Sequence, residues 1–213
     1  ELCRSGVPPI LRCCVWVNEI MSLSDLGKFN SCDYGTVGKA NIVEDTYELV
    51  ESIVFATEED RHEAPTPYFG LSTELMDRIY EGLGDGTVTI EGKHRMARVL
   101  HSVQTVLSVT YAPMLPVLCT ILLSFMKEKY VYTVLKEITN NTDGRFMPLT
   151  PVERAAWSKT FSDMVHKMFP FTYFEMEKCG ALSQQGLSPI FDMFFVTIFK
   201  RVHIYHLMDI YIV

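Results

Sequence analysis

Six cysteines, at positions 3, 13, 14, 32, 119 and 179, are the first side chains to test for chemistry. None forms a C-x-x-C pair and Cys13 adjoins Cys14, so the spacing does not describe a zinc site. A disulfide framework belongs to smaller chains with less core, and most of these residues are expected to be buried thiols in a reducing compartment. The run Gly84-Asp85-Gly86-Thr87-Val88-Thr89-Ile90-Glu91 resembles a calcium loop at first sight. With Gly86 as the turn glycine, the ligand positions fall on Glu81, Leu83 and, last, Gly92. An apolar third position and a missing bidentate carboxylate argue against calcium, and a glycine turn feeding a short extended piece over residues 87–90 fits better. No phosphate-loop signature GxxxxGK[ST] is present. Asn140-Asn141-Thr142 matches a glycosylation sequon, discounted because no secretory signal precedes it. No cofactor is implied, because the many Met and Phe residues fall at core spacings.

The elements that must position any such chemistry are helices. The chain has 213 residues, 48% hydrophobic, with a net charge of -7, which fits one sizeable domain and argues against a nucleic-acid binder. The centre is the uncharged run Ser102–Met126. It is long enough to cross a bilayer, which takes about 20 apolar residues. Pro113, Pro116 and the polar Gln104, Thr105, Ser108 and Thr110 instead predict two buried helical pieces joined at Tyr111-Ala112-Pro113, and no integral membrane span.

Pro8-Pro9 opens a first helix, with Leu11, Val15 and Trp16 on one face and Arg12 on another line. From pattern alone Arg12 reads as a surface salt bridge. Residues 24–40 read as a loop. A helix over 41–56 carries the stripe Val43, Tyr47, Val50, Ile53 and Val54. A short helix over 72–81 starts at Ser72. Residues 91–107 are the strongest amphipathic helix, with Met96, Val99, Leu100, Val103, Val106 and Leu107 inward and Lys93, His94, Arg95 and Arg98 outward. Residues 127–139 continue helical. Thr150 and Pro151 start a helix over 150–169 whose buried face is Trp157, Phe161, Met164, Val165 and Met168, and Pro170 stops it. A shorter helix and a loop fill 171–185. Residues 187–199 are almost wholly apolar before the change at Lys200-Arg201. The class is all-α. The chain starts at Glu1 without an initiator Met and stops in mid-pattern, as an excised piece of a longer protein would.

The order GxPxxLRxxVW, met by Gly6, Pro8, Leu11, Arg12, Val15 and Trp16, resembles the opening motif of TBC domains, the helical GTPase-activating modules for Rab-type small GTPases. EGKHRMARVLHSVQTVLSVTYAPMLPVLCTILLSFMKEKYVY is similar to the middle of the TBC–TLDc, or Skywalker-like, class, and RFMPLTPVERAAWSKTFSDMVHKMFP to that class's next helix. ELVESIVFATEEDRHEAPTPYFG resembles its segment ending in a Pro-x-Pro-x-Phe turn, and PIFDMFFVTIFKRV with HIYHLMDIYIV resembles two late helices. The resemblance covers nearly the whole chain. It implies a single multi-helix TBC fold over residues 1–213, cut short at its C-terminal end, and a TLDc domain in the remainder would favour the Skywalker-like class.

Active members of that family supply an Arg from IxxDxxR and a Gln from YxQG, and such an arginine finger is worth about 10³ to 10⁵ in rate. Here the YxQG slot aligns with Tyr111-Ala112-Pro113-Met114, and Pro113 has no side-chain amide. The Arg slot falls on Glu48 in one register and on His62 in another, with Arg61 one residue off. The resemblance therefore implies a regulator or adaptor for a Rab- or Arf-type GTPase in vesicle and membrane trafficking, without standard dual-finger catalysis. It equally implies an alternative, a peripheral phosphoinositide-binding module with a cationic pocket. Arg12 would be the first phosphate contact, with His206, Lys200 and Arg201 as candidates for the second. His206 would help only when protonated. The alternative reading of Arg12 spends it on a carboxylate such as Asp209, tying the first helix to the last. The implied location is cytoplasmic, peripheral to endosomal, vesicle or plasma membranes.

Overall fold

A computed structural model describes residues 6–23, 46–83, 89–140 and 147–212. These residues are helical and turn structure with no strand among them. The helices in chain order are α1 (Pro9–Leu23), α2 (46–54), α3 (Glu58–His62), α4 (Thr73–Leu83), α5 (Ile90–Leu107), α6 (Leu115–Leu123), α7 (Glu128–Asn140), α8 (Pro151–Met168), α9 (Pro170–Lys178), α10 (Gln184–Phe191) and α11 (Arg201–Ile212).

The uncharged run is the centre of the molecule. It divides into the end of α5, a break over residues 108–114, and α6. Every residue of α6 from Leu115 to Leu122 is buried. A helix apolar on all faces must be covered on all faces. Here α5 and α7 pack on it and on each other, and α4 lies against it too. α1 lies against α7 and α11, which brings the first and last helices together. Two hydroxyls buried in this core are satisfied locally: Thr120 donates to the Pro116 carbonyl at 2.8 Å, and Thr139 to that of Leu135 at 2.7 Å. Such i−4 bonds let a threonine sit in an apolar helix without an orphaned polar atom. Among the described residues no helix is long and apolar enough to cross a membrane, as the prolines foretold.

The break between α5 and α6 is held from outside. Ser108 ends α5 in a left-handed conformation (φ 54°), and the Ala112 N–H donates to the Phe69 carbonyl at 3.0 Å. Phe69 is buried, and Gly70 follows at φ 95° with the Tyr111 ring against it. A Cβ at Gly70 would stand 2.8 Å from that ring, so only glycine fits both the conformation and the approach. The Pro65–Gly70 turn is thus the clamp that fixes where the central run bends.

Several sequence expectations are corrected. The α1 face that packs inward is Arg12, Trp16 and Ile20, spaced i, i+4, i+8, while Leu11 is exposed. Ile53 and Val106 are exposed, although they share a stripe with buried neighbours. Arg98 is buried rather than outward, because an acidic partner on α7 receives it. Met164 and Met168 on α8 are exposed, and Trp157 and Phe161 only half-buried, because α8 is covered by α9 and α10 and not by the central helices. Thr89 caps α5 through the Gly92 N–H with an extended backbone and Ile90 begins the helix, so the extended piece does not include residue 90. Of the described cysteines only Cys119 is buried, with Cys13 half-buried and Cys14 and Cys179 exposed. The apolar run after residue 187 is not one helix. α10 ends at Phe191, two residues past Pro189, and Phe194 and Phe195 take positive φ of 44° and 62°. The loop at 24–40, Val43, the glycine turn at 84–88 and the end of the sequon lie outside the described residues.

Candidate functional site

The opening motif converges on one carboxylate. Asp209, on α11 and fully buried, accepts from Arg12 Nε at 3.1 Å and Trp16 Nε1 at 3.1 Å through one oxygen. Its other oxygen accepts from Arg12 Nη2 at 3.1 Å and the Val7 N–H at 3.0 Å. Four donors on two oxygens satisfy the buried charge fully, which is the condition for tolerating it. The Arg12 guanidinium also lies against two rings, 5.2 Å from the Phe125 centroid and 5.4 Å from that of Tyr205. Those rings meet edge-on at 4.7 Å, and Trp16 abuts Phe125 at 5.2 Å. Gly6 makes this possible. Its φ is 85°, and a Cβ there would come within 3.1 Å of His206 Nδ1.

Arg12 is therefore spent on Asp209. The structure brings His206 to Gly6 beside this node, and Arg201 over the Tyr205 ring, 5.9 Å from its centroid. Arg201 also donates to the Leu83 carbonyl at 3.3 Å. Lys200 is exposed at the head of α11. Lys200 and Arg201 thus lie at the head of α11 and His206 and the Arg12–Asp209 node further along it, with the Arg12 charge already neutralised.

The finger positions do not gather. Pro113 is buried inside the α5–α6 break. Glu48 is exposed on α2 and His62 is exposed at the end of α3, its carbonyl 3.0 Å from His94 Nδ1. Arg61 is held by Glu51 at 2.9 Å and Glu58 at 3.6 Å.

A second charged cluster, not anticipated from sequence, joins α2, α5 and α7. Glu128 starts α7 and accepts from Arg98 Nη2 at 2.7 Å, Arg98 Nε at 3.1 Å and Arg95 Nε at 3.2 Å. The Tyr47 hydroxyl reaches it at 3.4 Å. Glu128 also sits where a helix N-terminus favours negative charge. Hydrogen bonding to Glu128 holds the Arg98 guanidinium pKa above its ordinary value. The i, i+3 spacing of Arg95 and Arg98 was the available signal, but it cannot say whether a carboxylate faces it. Glu51, beside this cluster, has its carboxyl pKa pushed up by burial first, with the Glu128 charge adding to it and Arg61 opposing it.

That shift has a definite sign. A carboxyl that holds its proton more tightly when folded loses stability as pH rises from its unfolded pKa through the folded one. Glu51→Gln mimics the protonated form. The variant is expected to match or exceed the wild-type melting temperature at neutral pH, with the gap closing as pH falls toward about 4, where wild-type Glu51 is protonated too. Thermal melts across that range would show it, and a variant less stable at pH 7 would mean that the Arg61 pair outweighs burial.

Comparison of the chain with protein-family models, with curated proteins and with solved structures returned no match. Among the described residues no cluster of His, Cys, Asp and Glu could hold a metal ion.

Proposed function

We propose that this chain is a helical regulator or adaptor that binds a small GTPase of the Rab or Arf type in vesicle and membrane trafficking, without donating catalytic fingers to it. The observation that carries the non-catalytic half is Pro113. It lies buried in the clamped α5–α6 break, and by the resemblance to TBC domains it aligns with the slot of their glutamine. It has no amide to orient a water, and Tyr111 beside it packs against Gly70. The nearest basic candidate for the other finger, Arg61, is drawn onto Glu51 and Glu58. The GTPase half rests on the resemblance of Gly6, Pro8, Leu11, Arg12, Val15 and Trp16 to the TBC opening motif. Location on the cytoplasmic side of endosomal, vesicle or plasma membranes goes with that reading.

A panel of Rab and Arf GTPases loaded with a non-hydrolysable GTP analogue tests the binding half. Saturable binding of at least one member, weaker in its GDP form, is expected. A panel that shows no nucleotide-dependent binding would overturn the GTPase reading.

The phosphoinositide alternative loses its first contact to the Arg12–Asp209 pair. What favours it is the joint placement of Lys200 and Arg201 at the head of α11, and liposome flotation of a variant lacking both charges is its test.

A further inference from the structure

The junction of α8 and α9 carries an apolar surface that no other described residue covers. From Met164 to Phe174 the chain reads MVHKMFPFTYF, without a carboxylate, in a protein of net charge -7. Of that stretch only Val165 is buried and only Tyr173 half-buried. Phe171 is 88% exposed, and Met168, Phe169 and Phe174 are each more than half exposed. Met164, Lys167 and Met168 are i, i+3 and i+4 neighbours on α8, and Phe171 and Phe174 are i, i+3 neighbours on α9. Backbone bonds run through the junction: the Phe169 N–H donates to the Val165 carbonyl at 2.7 Å, and the Tyr173 N–H to that of Phe169 at 2.9 Å. The apolar side chains are therefore presented from ordered helix, and exposed apolar patches of this kind mark contacts with proteins or membranes.

The charges around this surface favour one occupant. Asp163 and Glu175, which flank the stretch, are held by Lys159 and Lys178, each at 2.6 Å. Glu177, at the far end of α9, accepts from the Tyr173 hydroxyl at 3.2 Å. His166 lies against the Tyr173 ring, 4.5 Å between centroids. Lys167 is exposed and has no ion-pair partner among the described residues. One unpaired ammonium group thus stands among exposed Met and Phe side chains, with the neighbouring carboxylates engaged elsewhere. A second copy of the chain docked symmetrically here would bring two Lys167 ammonium groups into one interface that holds no carboxylate. An anionic bilayer surface instead supplies both an apolar layer and negative headgroups.

We propose that the α8–α9 junction docks on an anionic lipid bilayer, with Phe169, Phe171 and Phe174 entering the interface beside Met168 and Lys167 meeting the headgroups. Aromatic side chains favour the boundary between headgroups and acyl chains. Lysine can lay its apolar stem along such a surface and keep its ammonium group in the headgroup layer. Among the described residues no helix is long and apolar enough to cross a membrane, so the contact lies at the interface. This surface is separate from the head of α11. It would serve the membrane-peripheral location proposed above, but it does not rest on the GTPase reading, and vesicles without any GTPase test it.

Flotation with phosphatidylcholine vesicles, with and without phosphatidylserine, is the test. The wild-type chain should bind the phosphatidylserine vesicles more tightly than phosphatidylcholine alone, and added salt should weaken the binding. Phe171→Ser should weaken it at least about tenfold, and Lys167→Gln about fivefold. Both residues are exposed, so both variants keep the fold. Ile53→Ser, which removes an equally isolated apolar side chain on α2, should bind as wild type does. In Phe171→Trp the added indole should shift its emission to the blue on vesicles and be quenched by brominated acyl chains, which headgroup binding elsewhere on the chain would not produce. Failure of the folded wild-type chain to bind phosphatidylserine vesicles, equal binding to both vesicle types, or unchanged affinity in Phe171→Ser overturns the proposal. A lipid-free dimer that Phe171→Ser dissociates also overturns it, and assigns the surface to a second copy of the chain.

Discussion

Asp209→Ala is expected to lower the stability of the chain by about 3–5 kcal/mol, the usual cost of removing one partner of a buried ion pair. The loss is not that of one interaction. Three side-chain N–H bonds and one backbone N–H bond end on this carboxylate, and all four donors are left in the core without an acceptor. Arg12 suffers most, since its guanidinium is buried against Phe125 and Tyr205 with little access to water. Urea unfolding should show a lower midpoint with an unchanged slope. The double variant Arg12→Met, Asp209→Leu should recover much of the loss, because an apolar pair of similar volume avoids the desolvation penalty. A single variant within about 0.5 kcal/mol of wild type would mean that the node does not hold the ends of the chain together.

Glu128→Gln is expected to cost about 2–3 kcal/mol, in the range for hydrogen bonds to charged groups. Glutamine keeps the length but offers one acceptor oxygen where two are in use, and turns an N–H₂ toward Arg95, Arg98 or Tyr47. The two arginines, three residues apart on α5, then repel each other without the charge between them. Glu128 is slightly exposed, so water relieves part of this and the cost stays below that at Asp209. A second readout separates electrostatics from packing. The Glu128 charge helps to raise the Glu51 carboxyl pKa, so Glu51 should titrate at lower pH in the variant, as carboxyl-detected NMR would follow. A Glu51 titration that does not move would mean that the two carboxylates are not coupled.

The helices were largely legible because their punctuation is local. Thr89 and Thr150 cap α5 and α8 through the Gly92 and Glu153 N–H groups, Pro151 and Pro170 sit at first helical positions, and the prolines after Tyr111 break the central run. Which face of each helix is covered was less legible, because periodicity marks an apolar stripe without saying what packs on it. Met164 and Met168 repeat correctly and still face outward, since α8 meets only peripheral helices. Arg12 was open to two readings. The pattern set it on a different line of the helix from Trp16, and only the tertiary meeting of α1 with α11, across 197 positions, decides that Asp209 receives it. Arg98 and Glu128 were hidden for the same reason, 30 positions apart on helices whose approach no local pattern encodes.

The absence of fingers is the claim most open to direct attack. Single-turnover hydrolysis by a Rab and Arf panel, with and without saturating chain, measures it. The account predicts acceleration of less than about tenfold for every GTPase that binds, against the 10³ to 10⁵ that an arginine finger contributes. An acceleration of about a thousandfold or more by any member, abolished by Arg61→Ala, would contradict it and place Arg61 in the finger role after all.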